Sequence, residues 1–389
     1  KKSLIALAAL AATASFAQSS VVIDGYFDRG YTVTDSNNNA KDLKTVSSSA
    51  GTTTFGIKVR EDLGGGLSVG GSVNTDWADI GGATQANGVA NAQTSGFANS
   101  QSFVDVTGSF GVVRLGTPNN FTLTNATAVA APAFSTAIGS TYSSAFSIAN
   151  GLGTGVSGFG GTVRETLNTS AAGNTGARAI RIANTIQYSS PAFSGFSVHL
   201  GYTPKNNNVA TLSGLGNTVG VTEAALRYTN GPIDAMLSSI KYSVGTNGTT
   251  QDYYDASTVN GTASSKSLAG DQSNTQNLLG VTYAVLPNLK LHGGLGTFSS
   301  SNDLYKGNSA QIGATYSMNA WEFLGQMAKV NDKSAANIDR KMVGLGVNYN
   351  LSKTARIYAR YDCIDWASNQ TESAGSKQSR YAVGVSKAF

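Results

Sequence analysis

The sequence predicts an all-β chain folded as a sixteen-stranded antiparallel transmembrane β-barrel. Three observations carry this. Apolar and polar residues alternate with period 2 along the chain, and no helical stripe of comparable length interrupts them. The connections between alternating segments are short and long in turn. The last nine residues, Tyr381–Phe389, put an apolar or long side chain at every second position with small residues between. That is one membrane-facing strand closing a sheet and ending in an aromatic carboxylate.

Lys1 and Lys2 precede an apolar run from Leu4 to Leu10 and the small-residue site Ser15-Phe16-Ala17, the pattern of a secretory signal peptide over residues 1–17. Residues 18–389 are then the barrel domain. An exported chain with a lipid-facing final strand is expected in a Gram-negative outer membrane.

In Leu67–Trp77, Leu67, Val69, Val73 and Trp77 share one face, and Ser68, Ser72, Asn74 and Asp76 share the other. Similar alternation marks Phe196–Tyr202, Ala224–Tyr228, Leu279–Tyr283, Ala310–Tyr316, Val343–Tyr349, Ile357–Tyr361 and the C-terminal run. Seven of these eight segments end at Trp or Tyr on the apolar face, where an interfacial aromatic girdle sits. Less distinct strands begin near Val21, Thr52, Ser102, Val112, Asn184, Ala235, Leu289 and Trp321.

Short connections fall at 61–66, 109–111, 190–195, 230–232, 286–288, 317–320 and 350–354. Long polar ones fall at 36–51, 78–100, 117–179, 203–222, 245–276, 299–308, 330–338 and 367–378. Seven short and eight long supply the fifteen connections of sixteen strands. A barrel with short turns at one rim and long loops at the other sorts its connections this way, whereas a soluble sandwich has no reason to. Side chains cannot fill so wide a barrel, so its lumen should hold water and act as a passive aqueous passage.

Composition narrows the alternatives. Every apolar run falls short of the roughly 20 residues a spanning helix requires. Thus backbone groups in the membrane must be satisfied by a closed sheet. Without Lys1 and Lys2 the chain carries 25 bases against 22 acids, a net charge too slight to imply a nucleic-acid partner. One cysteine, Cys363, and two histidines, His199 and His292, do not make a zinc cage or an internal disulfide. No cofactor is expected. Neither histidine has the Ser and acid spacing of a hydrolase, so both are read as wall residues and the chain as a non-enzyme. The Gly151–Gly155 run lacks the flanking strand and helix of a phosphate cradle, and Asp35 with Asn37–Asn39 reads as a solvated loop tip.

Alternation also assigns faces. If Phe55, Ile57 and Val59 meet lipid, Lys58 and Arg60 face the lumen. The same reasoning turns Arg114, Arg227, Lys290, His292, Arg356, Arg360 and Arg380 inward, against Asp24, Asp28, Asp76, Asp105, Glu223, Glu322 and Asp362. On this reading inward bases modestly outnumber acids, which gives a weak anion preference. Cys363 falls on the apolar, lipid-facing side.

The segments Glu61-Asp-Leu-Gly-Gly-Gly-Leu67, Gly108-Ser-Phe-Gly-Val-Val-Arg-Leu-Gly116, Asn184-Thr-Ile-Gln-Tyr-Ser-Ser-Pro191 and Leu351-Ser-Lys-Thr354, with the terminal Phe389, resemble the general-diffusion porins of Gram-negative outer membranes. They are most similar to the betaproteobacterial branch, which includes anion-selective members. The resemblance spans residues 18–389. It implies a homotrimer of sixteen-stranded barrels in outer-membrane lipid and lipopolysaccharide, each with its third extracellular loop folded inward as a constriction. It also implies assembly by the barrel-assembly machinery through Phe389, and passage of small solutes and ions.

By motif register, one arginine of the anion-selective members falls at Thr54 and another near Ser100 and Gln101, while a third is kept as Arg181. The loop at 117–179 bears only Arg164, Glu165 and Arg178, where the family's loop carries several acids. The expected pore-constriction set is Lys58, Arg60, Asp105, Arg114, Glu165 and Arg181, with Arg114 and Arg181 flanking the inward loop. A substrate-specific channel is the neighbouring reading, with Phe121, Phe134, Tyr142, Phe146 and Phe159 as a greasy track for sugars. A surface adhesin is a third, resting only on the area of the long loops.

Overall fold

The computed structural model describes residues 19–36, 43–76, 100–141, 184–204, 219–244, 272–300, 306–333, 339–366 and 377–389. The segment read as a signal peptide, residues 1–17, and the aromatic Trp77 lie outside them.

Seventeen strands form one antiparallel sheet. In chain order they are β1 (Ser20–Ser36), β2 (Leu43–Ser47), β3 (Thr54–Gly64), β4 (Leu67–Asp76), β5 (Ser102–Gly108), β6 (Gly111–Thr117), β7 (Thr185–Ser189), β8 (Phe196–Thr203), β9 (Val219–Asn230), β10 (Ile233–Val244), β11 (Gln272–Leu286), β12 (Leu289–Ser300), β13 (Lys306–Met318), β14 (Trp321–Asp332), β15 (Arg340–Asn350), β16 (Ala355–Trp366) and β17 (Lys377–Ala388). Each strand from β3 onward pairs with the next. The ring closes where β17 pairs with β1 from Tyr26↔Ala388 to Ser36↔Gln378.

The strand beyond the expected sixteen is β2, inside a segment the sequence reads as a loop. It adds no stave, because β1 pairs with β3 along its first half and with β2 along its second. The two short strands thus share one side of the long first strand, and the barrel has sixteen staves. A closed ring satisfies the backbone groups that an open edge would leave bare in hydrocarbon.

Closure is tight. Gly25 and Phe389 exchange both backbone hydrogen bonds at 3.1 Å, and the Phe389 ring lies 5.1 Å from that of Phe27. A Cβ on Gly25 would come within 2.5 Å of the Phe389 ring, so this position requires glycine. The short turns fall where the sequence places them. In the first, Gly64, Gly65 and Gly66 all have φ between +62° and +81°, backbone that residues with a Cβ rarely adopt.

The wall has two faces. On β10, Leu237 is 54 % exposed on the outer side while its neighbour Ser238 is fully buried inside. The same parity carries Val198, Leu295, Ile312, Met327, Leu345 and Val383 outward, and Gln187, Gln311, Gln326, Asn348 and Ser386 inward. Outward aromatics pair near the turns: Trp321 with Tyr349 at 4.8 Å and Phe196 with Tyr228 at 4.6 Å between ring centroids. Cys363 stands opposite Val343 and Ser379 on the outer face, as its place in the alternation requires. No helix among the described residues is long and apolar enough to cross a membrane.

The lumen as candidate functional site

After β6 the chain does not run outward. A four-residue helix, α1 (Phe121–Thr124), continues into a π-helical turn, Asn125–Ala130, and both lie against the inner wall. Local sequence starts the helix: Asn120 accepts from the Leu123 N–H at 2.7 Å through its side chain, the usual role of Asn at a helix N-cap. The wall completes it. Both carboxylate oxygens of Glu223 on β9 accept from this first turn, from Phe121 N–H at 2.8 Å and Thr122 N–H at 2.6 Å.

The segment then follows the wall across neighbouring strands. The Asn125 carboxamide reaches β10 and β11, Thr282 on β11 donates to the Val129 carbonyl at 2.6 Å, and a ring nitrogen of His292 on β12 lies 3.3 Å from the Ala130 carbonyl. Farther along, Gly139 N–H donates to Asp362 on β16 at 3.0 Å, and Ile138 N–H donates to Ser49 at 2.9 Å, in the link between β2 and β3. Burial supplies the apolar part: Phe121 and Val129 pack with Ala225 and Met236, and Leu123 and Ala126 with Leu278. Glycines make room. A Cβ on Gly344 would stand 2.5 Å from the Gly139 carbonyl oxygen, and one on Gly294 3.0 Å from the Ala130 Cβ.

The link at 48–53 is itself held inside. One oxygen of Asp28 accepts from the N–H groups of Ser49, Ala50 and Gly51 at 2.6, 2.7 and 3.1 Å, and the other accepts from the Tyr358 hydroxyl at 2.6 Å. This carboxylate is spent on structure. Arg356 donates to Tyr26 Oη and Ser386 Oγ, and Arg360 to Asn348 Oδ1. Neither arginine meets a carboxylate among the described residues.

The segment's contacts run from Gln187 on β7 and His199 on β8 round to Asp362 on β16, and the remaining inner face is that of β3 to β6. There the structure gathers four of the six expected site residues. Lys58 Nζ is 2.6 Å from Asp24, and Arg60 Nη2 is 2.7 Å from Asp105. Arg114 stands opposite Asp105 in the β5–β6 register, its guanidinium carbon 5.1 Å from the centre of the Phe103 ring. Gly70, between Arg60 and Asp105 in register, leaves space for the guanidinium, whose Nη2 would be 3.0 Å from a Cβ there. The other two, Glu165 and Arg181, lie outside the described residues.

Some expectations change. Phe121 and Phe134, assigned to a sugar track, are buried against the wall and offer no surface to a solute; Tyr142, Phe146 and Phe159 lie outside the described residues. Asp234, which the face assignment omitted, forms an ion pair with Arg227 at 2.6 Å, and Asp332 also takes inward parity. Within the ion pairs Lys58–Asp24, Arg60–Asp105, Arg227–Asp234 and Arg380–Asp362 the base is the more exposed partner, whereas the inward Arg340 and Arg360 are as buried as the acids. The period-2 pattern holds no signal for Asn125 or for the Asp28 clasp, since both act between segments far apart in sequence. The histidines behave as wall residues: His199 lies between Ser197 at 3.0 Å and Ser189 at 2.9 Å. Among the described residues no group of His, Cys, Asp and Glu could hold a metal ion.

Comparison with known proteins agrees with this architecture. Outer membrane porin protein 32 of Delftia acidovorans is 28 % identical over 398 residues, covering 99 % of this chain and 95 % of that protein. The solved anion-selective porin from Comamonas acidovorans superposes with a TM-score of 0.69 at 23 % identity, covering 96 % of this chain and all of that one. A trimer form of OmpT from Vibrio cholerae gives 0.61 at 14 % identity over 95 % of this chain and 99 % of that one. The family model described as Gram-negative porin matches residues 4–365. A closed two-faced barrel, a polar lumen and a family match along most of its length lead to one conclusion: the chain belongs to the Gram-negative porins, diffusion channels of the outer membrane.

Proposed function

We propose that this porin is a weakly anion-preferring general-diffusion pore, narrowed by the segment after β6, with Lys58, Arg60, Asp105, Arg114, Glu165 and Arg181 at its constriction. The carrying observation is an asymmetry within the described ion pairs. Side-chain exposure of base and acid is 51 % and 37 % for Lys58–Asp24, 45 % and 7 % for Arg60–Asp105, 31 % and 24 % for Arg227–Asp234, and 15 % and 0 % for Arg380–Asp362. In each, water in the lumen meets more of the base. Fixed positive charge at the wall of a narrow aqueous passage concentrates anions, which favours their entry. The name of the Comamonas protein, an anion-selective porin, supports the same reading.

Size exclusion falls to the loop that contains α1, and transport is passive, with no cofactor and no catalysis. The pore works as a homotrimer. Supporting this, β5, β6 and β7 have 7, 7 and 5 residues. At a tilt of roughly 45° such strands rise only about 12–17 Å, less than the apolar band of about 25 Å that lipid requires. The outward faces of β4–β6 carry no aromatic among the described residues, so this side suits another copy better than lipid. Lipid and lipopolysaccharide meet the rest, and Phe389, 48 % exposed at the end of the closing strand, is the handle for the barrel-assembly machinery.

The test is a reversal potential across a planar bilayer under a KCl gradient. Replacing Lys58, Arg114 and Arg181 by Gln lowers the anion-to-cation permeability ratio. An unchanged reversal potential contradicts the assignment.

A further inference from the structure

One side chain in the inner segment makes more wall contacts than its neighbours, and it is uncharged. Asn125 is fully buried, and its Nδ2 lies 2.9 Å from the Met236 carbonyl oxygen, 2.8 Å from the Leu278 carbonyl oxygen and 3.0 Å from Ser238 Oγ. An amide nitrogen has two protons, so three acceptors share them. The acceptors come from both strands of one β10–β11 step, where Ser238 stands opposite Leu278 and Met236 opposite Gly280. A lumen side chain has thus inserted across the sheet surface and bonded to the two strands at once.

The wall is shaped to receive it. A Cβ on Gly280 would stand 2.2 Å from Asn125 Oδ1 and 3.0 Å from both the Cβ and the N of Ala130. Asn125 Oδ1 is itself buried without a protein hydrogen-bond partner, so the oxygen points at the empty side of Gly280 and the nitrogen carries all the bonding. The amide cannot be turned over, because Oδ1 would then face two carbonyl oxygens. Asn125 opens the π-helical turn, and Thr282 and His292 contact the turn's last two carbonyl groups.

We propose that Asn125, seated on Gly280, is the positioning residue that fixes the inner segment in the lumen and so sets the open cross-section of the pore. The proposal deepens the reading that this segment narrows the passage and rests on it. The predicted role is hydrogen bonding in a single orientation, which separates it from packing. Asn125→Asp preserves volume but places an oxygen against the Met236 and Leu278 carbonyl oxygens, which can only accept. Gly280→Ala leaves the segment's sequence intact and blocks its seat from the wall side.

Single-channel recording with the full-length protein in planar bilayers tests this, alongside the heat resistance of the folded barrel in detergent. Asn125→Asp and Gly280→Ala each raise mean conductance and broaden its distribution, the double variant resembles either single one, and Asn125→Leu perturbs conductance less than Asn125→Asp. Heat resistance of the barrel stays at the wild-type level, because every ladder bond remains. Wild-type conductance in Gly280→Ala overturns the proposal, as does an Asn125→Asp variant that matches wild type. A wild-type protein that forms no channel at all would overturn the diffusion-pore reading instead, so the two failures are distinct.

Discussion

Arg60 Nη2 lies 2.7 Å from Asp105 Oδ1, with 45 % of the arginine side chain exposed and only 7 % of the aspartate's. The acid sits behind the base. A permeating ion therefore meets the guanidinium before the carboxylate. Arg60→Gln should lower the anion-to-cation permeability ratio by about twofold, the effect of a few tenths of a kcal/mol from a partly screened charge. Asp105→Asn should raise it. Reversal potentials of the two variants moving in the same direction would contradict this arrangement.

Ionic strength should act on the same quantity. The Debye length falls from about 10 Å at 0.1 M salt to about 3 Å at 1 M. Selectivity that arises from wall charges should decline toward the mobility ratio of the ions over that range, measured as reversal potential at a fixed concentration ratio. A selectivity independent of salt points instead to a dehydrated binding site.

The outer face gives a stability prediction. Leu237 is 54 % exposed midway along β10. Leu237→Arg should cost about 2–4 kcal/mol of folding stability in a bilayer, the usual penalty for a base near the membrane midplane. Ser238→Arg, one residue on, alters the lumen and not the lipid face. Reversible denaturation in lipid vesicles measures the first. A neutral Leu237→Arg would place this surface away from lipid.

Asp28 anchors the link at 48–53 through three N–H groups and the Tyr358 hydroxyl. Asp28→Ala leaves those buried donors without an acceptor, at about 1–3 kcal/mol for each that water does not reach. The variant should unfold at lower temperature, and Tyr358→Phe should retain most of the wild-type stability because the three backbone bonds persist. Equal losses in the two variants would mean that the hydroxyl, rather than the N–H groups, carries the anchor.

The barrel was legible because its signal is local and repeated. Leu67, Val69 and Val73 alternate with Ser68, Ser72 and Asn74, and the observed register keeps that parity from β3 to β17 and back to β1. The inward facing of Lys58, Arg60, Asp105 and Arg114 followed from the same parity. What alternation could not reveal was anything formed by a segment leaving the sheet. Strand β2 is five residues whose pairing depends on the length of β1. Glu223 and Asn120 both bond to the start of α1, yet they lie 103 positions apart, so no window in the sequence unites them. Phe121 and Phe134 read as exposed loop aromatics for the same reason: the wall that buries them is made by distant strands.

The two-faced wall around a water-filled passage is tested most directly by swelling of liposomes containing the purified protein, in neutral solutes of graded size. The expected result is swelling whose rate falls steadily with solute size and does not saturate with concentration. Liposomes that do not swell even in the smallest solute would contradict an open aqueous lumen.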